Sequence, residues 1–518
     1  MEKIYRDKLK FILEELNRAE DYSQMSHLLN FDMETIAPEK GMEKQSELIA
    51  FLNNEEFCIR NSNEFISAAE YLYNNINELE EREDTVLEIS EKKYDRVLLK
   101  EMINMLHRHY IKNKNITPEM NHKMSLAFNK AYLDWLKAKQ NADYSLFAPQ
   151  LEVISKMQNE AVMLREDRYS NLYDNYLSDY DRGMLSEDID KAFEACKSRL
   201  LPILNKIKAS KKKIRTDFMF REVTDEAQMK MSRYLLGVLG FDFERGTIAT
   251  TEHPFSDTMG RNDVRVTTHF YKNNFASSIY SVIHECGHAL FDQLQPGEDF
   301  DYHIYTEKTM GMHESVSRFY ENRIGRSKEF IHLIYPETKK IFQDVMFDVT
   351  EEEFYEAVNL VQPSLVRIEA DEFTYIFHII IRYEIEKLIV NGKIDINEYP
   401  EVWNRMYKEL LGVEPENDAE GILQDVHWTS GFGYFPSYAL GNMYNSMYYK
   451  TMDSEFSVSE AVLKGDFKTI NSWMREHVFA KADRLSTKEW IKDITGREFT
   501  ADDFLDYLEE KYSEIYEI

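Results

Sequence analysis

The chain has 518 residues, of which 43% are hydrophobic and 13% aromatic, so it can bury a large core. Its 63 basic and 93 acidic residues give a net charge of −30, which argues against a nucleic-acid partner and against an anionic membrane surface. No apolar run approaches the roughly 18 residues of a transmembrane helix, and the N-terminal segment is charged from its first residues, unlike a secretion signal. We therefore expect a soluble, cytoplasmic protein.

The cysteines support the same location. Cys58, Cys196 and Cys286 are odd in number and widely separated, so they provide no disulfide framework. Proteins that keep their thiols free usually reside in a reducing compartment. We expect all three cysteines to be reduced.

Helical patterns dominate the first half of the chain. The stretch Thr117–Glu119 reads as an N-cap, a first-turn proline and an acidic first turn for a helix that runs towards Lys139. The chain has only 11 prolines and 18 glycines, which disfavours an all-β fold. We predict a mostly α fold with a helical N-terminal region at about residues 1–240. The first apolar stripe of this region, at helical spacing, consists of Tyr5, Leu9, Ile12 and Leu16.

One region with strand character follows. Gly246–Thr251 and Asp263–Phe270 are rich in β-branched residues, and the second stretch alternates between apolar and polar side chains. We expect a small β-sheet here, and its last strand could offer an edge to an extended substrate. No long linker, low-complexity tract or fixed-period repeat interrupts the chain. It is therefore predicted to be one large domain, residues 1–518.

The most specific signal is the motif His-Glu-Cys-Gly-His at His284–His288. Two histidines four residues apart lie on one face of a helix, so both imidazoles can bind one metal ion. Glu285 between them lies beside the open coordination position, where it can take a proton from water. The surrounding stretch Ala276–Phe291 is apolar and free of proline, as suits a dry metal site in a helix. The alternative is a buried helix with two hydrogen-bonded histidines.

The metal site needs a third protein ligand, because a catalytic zinc ion usually has three protein ligands and one water. One metalloprotease class takes that ligand from a histidine six residues after the second, with a glycine midway. Phe291 and Leu294 occupy those two places here, which excludes that class. An acidic ligand from a following helix remains, and Glu314 within Met310–Arg318 is the strongest candidate. The metal and substrate site should span about residues 245–445.

Two arginines could bind a substrate carboxylate. Arg265 lies in the second predicted strand, and Arg367 lies in Val366–Asp371. A guanidinium group matches a carboxylate with two parallel hydrogen bonds, which a lysine cannot provide. The alternative for each arginine is a surface position or a structural ion pair.

Peptide hydrolysis at a metal centre also needs a hydrogen-bond donor for the oxyanion. The stretch Gly421–Tyr438 combines glycines with aromatic residues and a Gln-Asp-x-His-Trp cluster, and its tyrosine hydroxyls could donate. Histidines compete for this role, among them His269, and the sequence leaves the choice open. The further substrate-binding residues that we predict are His253, His427, Tyr434 and Tyr438.

Six motifs follow one another along the chain. They are His253–Phe255, Asp263–Thr267, His284–His288, His313–Ser315, Val366–Asp371 and Gly421–Trp428. In this order they resemble the motifs of the Taq carboxypeptidase family of metallocarboxypeptidases. Those family motifs are His-Pro-Phe, Asp-x-Arg-x-Thr, His-Glu-x-x-His, His-Glu-Ser/Gly-Gln, Ile-Arg-x-x-Ala-Asp and Gly-x-x-Gln-Asp-x-His-Trp. With Asn30–Thr35 and Tyr173–Tyr180, the likeness covers essentially the whole chain.

The resemblance implies a fold, an assembly and an activity. The fold would be a single large, helical, saddle-like one with a deep groove and a small β-sheet before the metal-binding helix. The protein would be a homodimer with one divalent metal ion per chain, zinc or sometimes cobalt. Its substrates would be peptides, from whose free C-terminus it removes residues.

The resemblance also implies a role for individual residues. Glu285 would be the general base. The metal ligands would be His284, His288 and Glu314. The substrate's terminal carboxylate would be bound by Arg265 and Arg367.

Two positions depart from the family motifs. Val366 replaces an isoleucine, which exchanges one apolar residue for a similar one. Val316 stands where the family has a glutamine after His-Glu-Ser, and this removes a polar group near Glu314. Activity or side-chain preference could therefore differ from that of the family.

Two other functions compete with this interpretation. An endo-acting oligopeptidase would have a similar metal centre but no clamp for a carboxylate. A catalytically silent helical peptide-binding protein would keep the motif as a relic, but an intact Glu285 beside three ligands argues against it. Metal analysis separates the silent protein from both enzymes, and the products of a peptide digest separate an exopeptidase from an endopeptidase.

Overall fold

The computed structural model describes residues 3–79, 86–89, 92–305, 308–482 and 484–518, and most of them are helical. The helix predicted to run towards Lys139 is confirmed as α5, in which the Thr117 side chain accepts a hydrogen bond from the Met120 backbone. The helices of the N-terminal part are α1 (Lys3–Thr35), α2 (Met42–Arg60), α3 (Asn63–Asn74), α4 (Arg96–Asn113), α5 (Pro118–Asn141), α6 (Ala148–Met163), α7 (Leu172–Tyr180), α8 (Ser186–Ala209) and α9 (Asp225–Leu239).

The first helices build a hydrophobic core of their own. The apolar stripe predicted at the start of α1 is completely buried and packs with residues of α3 and α4. A short antiparallel hairpin of β1 (Val86–Ile89) and β2 (Lys92–Asp95) adds to this core, although no sequence pattern predicted it. Tyr302 and Ile304, which are distant in sequence, complete it. The remaining helices surround a second and much larger core.

A three-stranded sheet lies between the N-terminal helices and the metal motif. Its strands are β3 (Gly246–Thr250), β4 (Ser256–Gly260) and β5 (Asp263–Thr268), in the order β3-β5-β4. β5 pairs parallel to β3 and antiparallel to β4. The small sheet is confirmed, but its last strand is the central one. The expectation that this strand offers an edge is therefore wrong, because both sides of β5 are already hydrogen-bonded.

The rest of the chain is helical again. Met310–Arg318 continues directly into a π-helical turn at Phe319–Ile324. The helices are α10 (Phe275–Leu294), α11 (Gly297–Asp301), α12 (Met310–Arg318), α13 (Lys328–Ile341), α14 (Gln343–Met346), α15 (Glu351–Val358), α16 (Tyr375–Asn391), α17 (Tyr399–Leu410), α18 (Pro436–Glu455), α19 (Val458–Leu463), α20 (Phe467–Trp473), α21 (Thr487–Thr495) and α22 (Asp502–Tyr516).

Helix α10 lies inside the larger core, where it packs against α9, α12 and β5. Most of its side chains are buried, which explains why its sequence is apolar on nearly every side. Within the described ranges, no helix is both long and apolar enough to cross a membrane. The mostly helical fold is confirmed, and the single-domain organisation stays a prediction.

Two glycines allow three helices to approach one another closely. A Cβ atom on Gly287 of α10 would lie 2.5 Å from the Cα of Ser317 in α12. A Cβ atom on Gly441 of α18 would lie 2.8 Å from the Cγ of Glu314 in α12. Only glycine permits these distances, so α12 is held tightly between α10 and α18.

Candidate metal centre and substrate site

Three side chains from two helices meet at one point. α10 contributes His284 and His288, and α12 contributes Glu314. One possible ligand atom of each lies within 4.8 Å of the other two. Glu314 Oε2 is 3.7 Å from His284 Nε2 and 3.6 Å from His288 Nε2. The structure thus brings together the three residues that the sequence predicts as metal ligands, in a group that could hold an ion.

The second nitrogen of each imidazole is already engaged elsewhere. His284 Nδ1 lies 2.8 Å from Glu321 Oε2, and His288 Nδ1 contacts His313 Nδ1. Each contact orients its ring and leaves Nε2 pointing towards the carboxylate of Glu314. This is the arrangement that a metal-binding histidine pair requires.

The carboxylate of Glu314 is held by residues of its own helix. Arg318 Nε donates to Glu314 Oε1 at 2.7 Å, and Ser317 Oγ donates to Oε2 at 3.2 Å. Burial by itself would raise the pKa of Glu314, but Arg318 and the two histidines hold that pKa below its usual range. The carboxylate is therefore ionised and oriented.

The donor set fits a divalent transition metal such as zinc or cobalt. Two imidazole nitrogens and one carboxylate oxygen form a common catalytic zinc set, with a fourth position left for water. Metal–ligand bonds of about 2.0–2.2 Å place ligand atoms roughly 3.4 Å apart in a tetrahedral site. The distances of 3.6 and 3.7 Å to Glu314 Oε2 are close to that separation.

The sequence did not predict that His313, Asp292 and Lys308 form a chain of contacts behind His288. His313 Nε2 lies 3.5 Å from Asp292 Oδ1, and Lys308 Nζ lies 3.1 Å from the same oxygen. Burial lowers the pKa of His313 to about 4, so its ring is neutral at pH 7. One signal was available, because Asp292 follows His288 by one helical turn and therefore shares its helix face.

Glu321, the partner of His284, comes from the π-helical turn that continues α12. It also accepts hydrogen bonds from Arg318 Nη1 at 3.1 Å and from Arg326 Nη2 at 3.4 Å. Burial opposes its ionisation, but Arg318 and His284 lower the pKa of Glu321 to about 2. No sequence motif marked this residue, since its position depends on the irregular turn.

The predicted proton acceptor, Glu285, lies on α10 between the two histidines. It is only 7% exposed, so a charge on it is poorly solvated. The next two residues, Cys286 and Gly287, are buried in the protein. Glu285 is therefore fixed on the helix that carries two of the three ligand residues.

Arg367 lies among aromatic side chains of the stretch Gly421–Tyr438, in which the oxyanion donors are predicted. Its Nε and Nη2 donate to Asp425 Oδ1 at 3.0 and 2.9 Å, and its Nη1 donates to the Tyr375 hydroxyl at 3.2 Å. Its guanidinium carbon is 4.9 Å from the centre of the Tyr438 ring. Arg367 thus forms a buried ion pair and also faces the predicted oxyanion donors.

Arg265 has different neighbours. It lies in β5 and forms a bidentate ion pair with Asp263, at 2.8 and 2.7 Å. Its guanidinium carbon is 5.0 Å from the centre of the Phe31 ring in α1. Its surroundings are therefore the sheet and the first helix rather than the aromatic residues around Arg367.

His427, Tyr434 and Tyr438 form one aromatic cluster. The ring centres of the two tyrosines are 5.2 Å apart, and His427 Nε2 is 3.4 Å from the Tyr438 hydroxyl. Burial lowers the pKa of His427 to about 4, and burial together with the charge of Glu314 raises the pKa of Tyr434. Burial also raises the pKa of Tyr438, so all three rings are neutral at pH 7 and able to donate a hydrogen bond.

The other two histidine candidates lie at the sheet. His253 is exposed in the loop between β3 and β4. His269 follows β5, with its Nδ1 2.8 Å from the carbonyl oxygen of Thr251.

Val316, which departs from the family motif next to Glu314 and Ser315, is fully buried in the larger core, where its side chain contributes to packing.

Known proteins resemble this chain along most of its length. Residues 11–512 match the family model described as carboxypeptidase Taq (M32) metallopeptidase. The chain is 36% identical to carboxypeptidase 1 of Bacillus subtilis over 504 residues, which is 97% of each protein. It is 34% identical to thermostable carboxypeptidase 1 of Thermus thermophilus over 403 residues, which is 76% of this chain and 79% of the relative. The M32 carboxypeptidase crystal structure from Deinococcus radiodurans R1 matches with a TM-score of 0.92 at 28% identity, covering 99% of this chain and 100% of that one.

Proposed function

The chain belongs to the carboxypeptidase Taq (M32) family of metallopeptidases, and we propose that it removes residues one by one from the free C-terminus of peptides. Membership of this family makes it a hydrolase of peptide bonds. The observation that best supports the proposal is the convergence of His284, His288 and Glu314, with Glu285 buried on the helix that carries the two histidines. These four residues would carry the hydrolysis.

His284, His288 and Glu314 would hold one divalent metal ion, zinc or cobalt. Such an ion, when bound, polarises the scissile carbonyl and lowers the pKa of a water molecule. The chain contributes the orientation of the ligands, since each is fixed by a hydrogen bond from outside the cluster. Glu314 is buried, whereas His284 and His288 are partly exposed, so a water molecule and a substrate can reach their side of the cluster.

Glu285 would move the proton. As a carboxylate it accepts a proton from the attacking water and later passes it to the leaving amine. The developing oxyanion needs a neutral hydrogen-bond donor. Tyr434, Tyr438 and His427 lie together and are neutral at pH 7, so each can take that role.

Arg367 and Arg265 would bind the terminal carboxylate of the substrate. Asp425 and Tyr375 use three of the N–H groups of Arg367. A guanidinium group has five N–H donors, so two are left by the contacts among the described residues and could serve a ligand. A carboxylate bound there sets the register, because the bond next to it is the one placed at the metal cluster.

One observation favours the alternative, an endo-acting oligopeptidase. Arg265 and Arg367 each already pair with a carboxylate of the protein, as purely structural arginines would.

We further propose that the protein acts as a homodimer in the cytoplasm, as the family resemblance implies. Analytical ultracentrifugation would detect the dimer as twice the chain mass of 61.5 kDa.

Digestion of one peptide in two forms tests the proposed activity. A charge-assisted contact contributes about 1.5–3 kcal/mol, so amidation of the C-terminus should lower kcat/KM roughly 10- to 150-fold. Blocking the N-terminus should have little effect. Mass spectrometry should show residues leaving singly from the free C-terminus. Cleavage of the amidated peptide at an internal bond and at an equal rate would identify an oligopeptidase instead.

A further inference from the structure

Arg367 is held on two sides by one helix, α16. At its start, the Tyr375 hydroxyl accepts a hydrogen bond from Arg367 Nη1 at 3.2 Å. Two turns later, the fully buried Arg382 donates through Nε to Asp425 Oδ2 at 2.6 Å. Asp425 in turn accepts from Nε and Nη2 of Arg367. The guanidinium plane of Arg367 can therefore turn only if one of these contacts breaks.

Tyr375 also contacts Arg318, which holds the carboxylate of Glu314 in the metal cluster. The guanidinium carbon of Arg318 lies 4.4 Å from the centre of the Tyr375 ring. Arg318 is the residue that donates to Glu314 at 2.7 Å and to Glu321 at 3.1 Å. A cation over an aromatic face is attracted to it, so ring and cation restrain each other. The ring of Tyr375 thus contacts Arg318, and its hydroxyl contacts Arg367.

The local sequence explains how Tyr375 reaches this place. Asp371 accepts hydrogen bonds from the backbone nitrogen and the hydroxyl of Thr374, at 2.9 and 2.7 Å. This turn lies between Arg367 and the first residue of α16, and it brings Tyr375 back beside Arg367. Tyr375 is only 5% exposed, so water competes weakly for its hydroxyl.

We propose that Tyr375 is a positioning residue that sets the distance between Arg367 and the metal cluster. This inference rests on the proposed function, in which Arg367 binds the terminal carboxylate of the substrate. The hydroxyl of Tyr375 aligns the guanidinium of Arg367, and its ring ties that alignment to Arg318 and hence to Glu314. The enzyme thereby recognises a carboxylate at one fixed distance from the bond that it cuts.

Tyr375→Phe tests this role, because it keeps the ring over Arg318 and removes only the hydroxyl. For a free-acid peptide, kcat/KM should fall about 10-fold, the effect of losing one hydrogen bond to a charged group, and mainly through KM. The rate for the amidated peptide and the metal content should not change. The ratio of acid to amide rates should therefore shrink.

The matched control is Tyr144→Phe. Tyr144 is also buried, and its hydroxyl donates to the carbonyl oxygen of Ile396 at 3.2 Å, which belongs neither to the metal cluster nor to Arg367 and its partners. This variant should keep the wild-type ratio of acid to amide rates. A Tyr375→Phe enzyme with the wild-type ratio would overturn the inference. Equal loss of both rates would overturn it too, since a general structural defect acts on both substrates alike.

Arg367→Ala separates this inference from the proposed function. If Arg367→Ala leaves the ratio of acid to amide rates unchanged, Arg367 is not the carboxylate binder, and the role of Tyr375 falls with it. If Arg367→Ala shrinks the ratio of acid to amide rates and Tyr375→Phe does not, Arg367 does bind the carboxylate, and only the role of Tyr375 is wrong.

Discussion

Each side chain of the metal cluster is oriented by a partner that the His-Glu-x-x-His motif does not contain. The partners are Glu321 for His284, His313 for His288 and Arg318 for Glu314. Such contacts select which imidazole nitrogen faces the metal and which carboxylate oxygen is free. Metal affinity should therefore depend on these partners as well as on the ligands.

Exchange of Glu285 for glutamine tests its role as the proton acceptor. Glu285→Gln keeps the size of the side chain but removes its basicity, so metal content should stay near normal while kcat falls roughly 100-fold or more. Metal analysis and steady-state kinetics on the same sample measure both. Substantial turnover by a folded, metal-loaded Glu285→Gln protein would place the base elsewhere.

Loss of one ligand should abolish stoichiometric metal binding. His288→Ala removes one of three protein ligands, so the dialysed protein should contain far less than one metal ion per chain. Protons compete with the metal for imidazole nitrogen, so the affinity of the wild type should also fall as pH decreases. His332→Ala is the control, because His332 is exposed and pairs only with Glu351 among the described residues. Equal metal content in both variants would end the assignment.

Helix α12 and its π-helical continuation act as one supporting element. Together they carry Glu314, Arg318 and Glu321. Arg318 donates to both carboxylates, Glu314 lies beside His284 and His288, and Glu321 lies beside His284. A π turn contains one residue more than an α turn, so it changes the direction in which later side chains point. The place of Glu321 beside His284 depends on that change.

Gly287→Ala tests the close packing of α10 on α12. The new Cβ atom would lie 2.5 Å from Ser317 Cα and 2.8 Å from the carbonyl oxygen of Val316. Both are backbone atoms, so the clash can be relieved only if one helix moves. We expect the free energy of unfolding to fall by about 1–3 kcal/mol or more. Metal affinity should fall as well, because the ligands come from both helices. Chemical denaturation and metal titration measure the two effects.

Gly237→Ala is the matched control for this substitution. Gly237 lies inside α9, and apart from its own stretch of helix no atom of the described residues lies within 4 Å of the position that its Cβ would take. Alanine is favoured over glycine in a helix by about 0.5–1 kcal/mol, so this variant should be slightly more stable. If both variants behave alike, the contact between α10 and α12 is not as tight as the structure indicates.

The whole molecule combines a small N-terminal core with a much larger one that contains the metal cluster. The cysteines are divided between surface and interior: Cys58 is exposed, whereas Cys196 and Cys286 are buried. Burial raises the pKa of Cys196 to about 12, so little reactive thiolate forms there at neutral pH.

A thiol titration tests this distribution. In the native protein one thiol, that of Cys58, should react quickly with an alkylating reagent, and three should react after unfolding without a reductant. Intact mass measurement counts the added groups. A disulfide involving Cys286 would contradict both the proposed cytoplasmic location and the proposed metal site, since Cys286 lies between the two histidines.

The sequence by itself determined those features that depend on residues within a few positions of one another. The cap of α5 and the spacing of His284 and His288 are of this kind, because helix geometry alone places residues i and i+4 on one face. Residue chemistry and the family motifs extended this to Glu314, Arg265 and Arg367, but only as residue types in an order along the chain.

Only the tertiary structure decided which partners these residues have. It placed β5 in the middle of its sheet, paired Arg367 with Asp425 and Tyr375, and set Glu321 behind His284. Asp425 is 58 residues away from Arg367, and Glu321 is 37 away from His284. Contacts over such separations follow from the packing of whole helices around a common core, and no local spacing in the sequence encodes them.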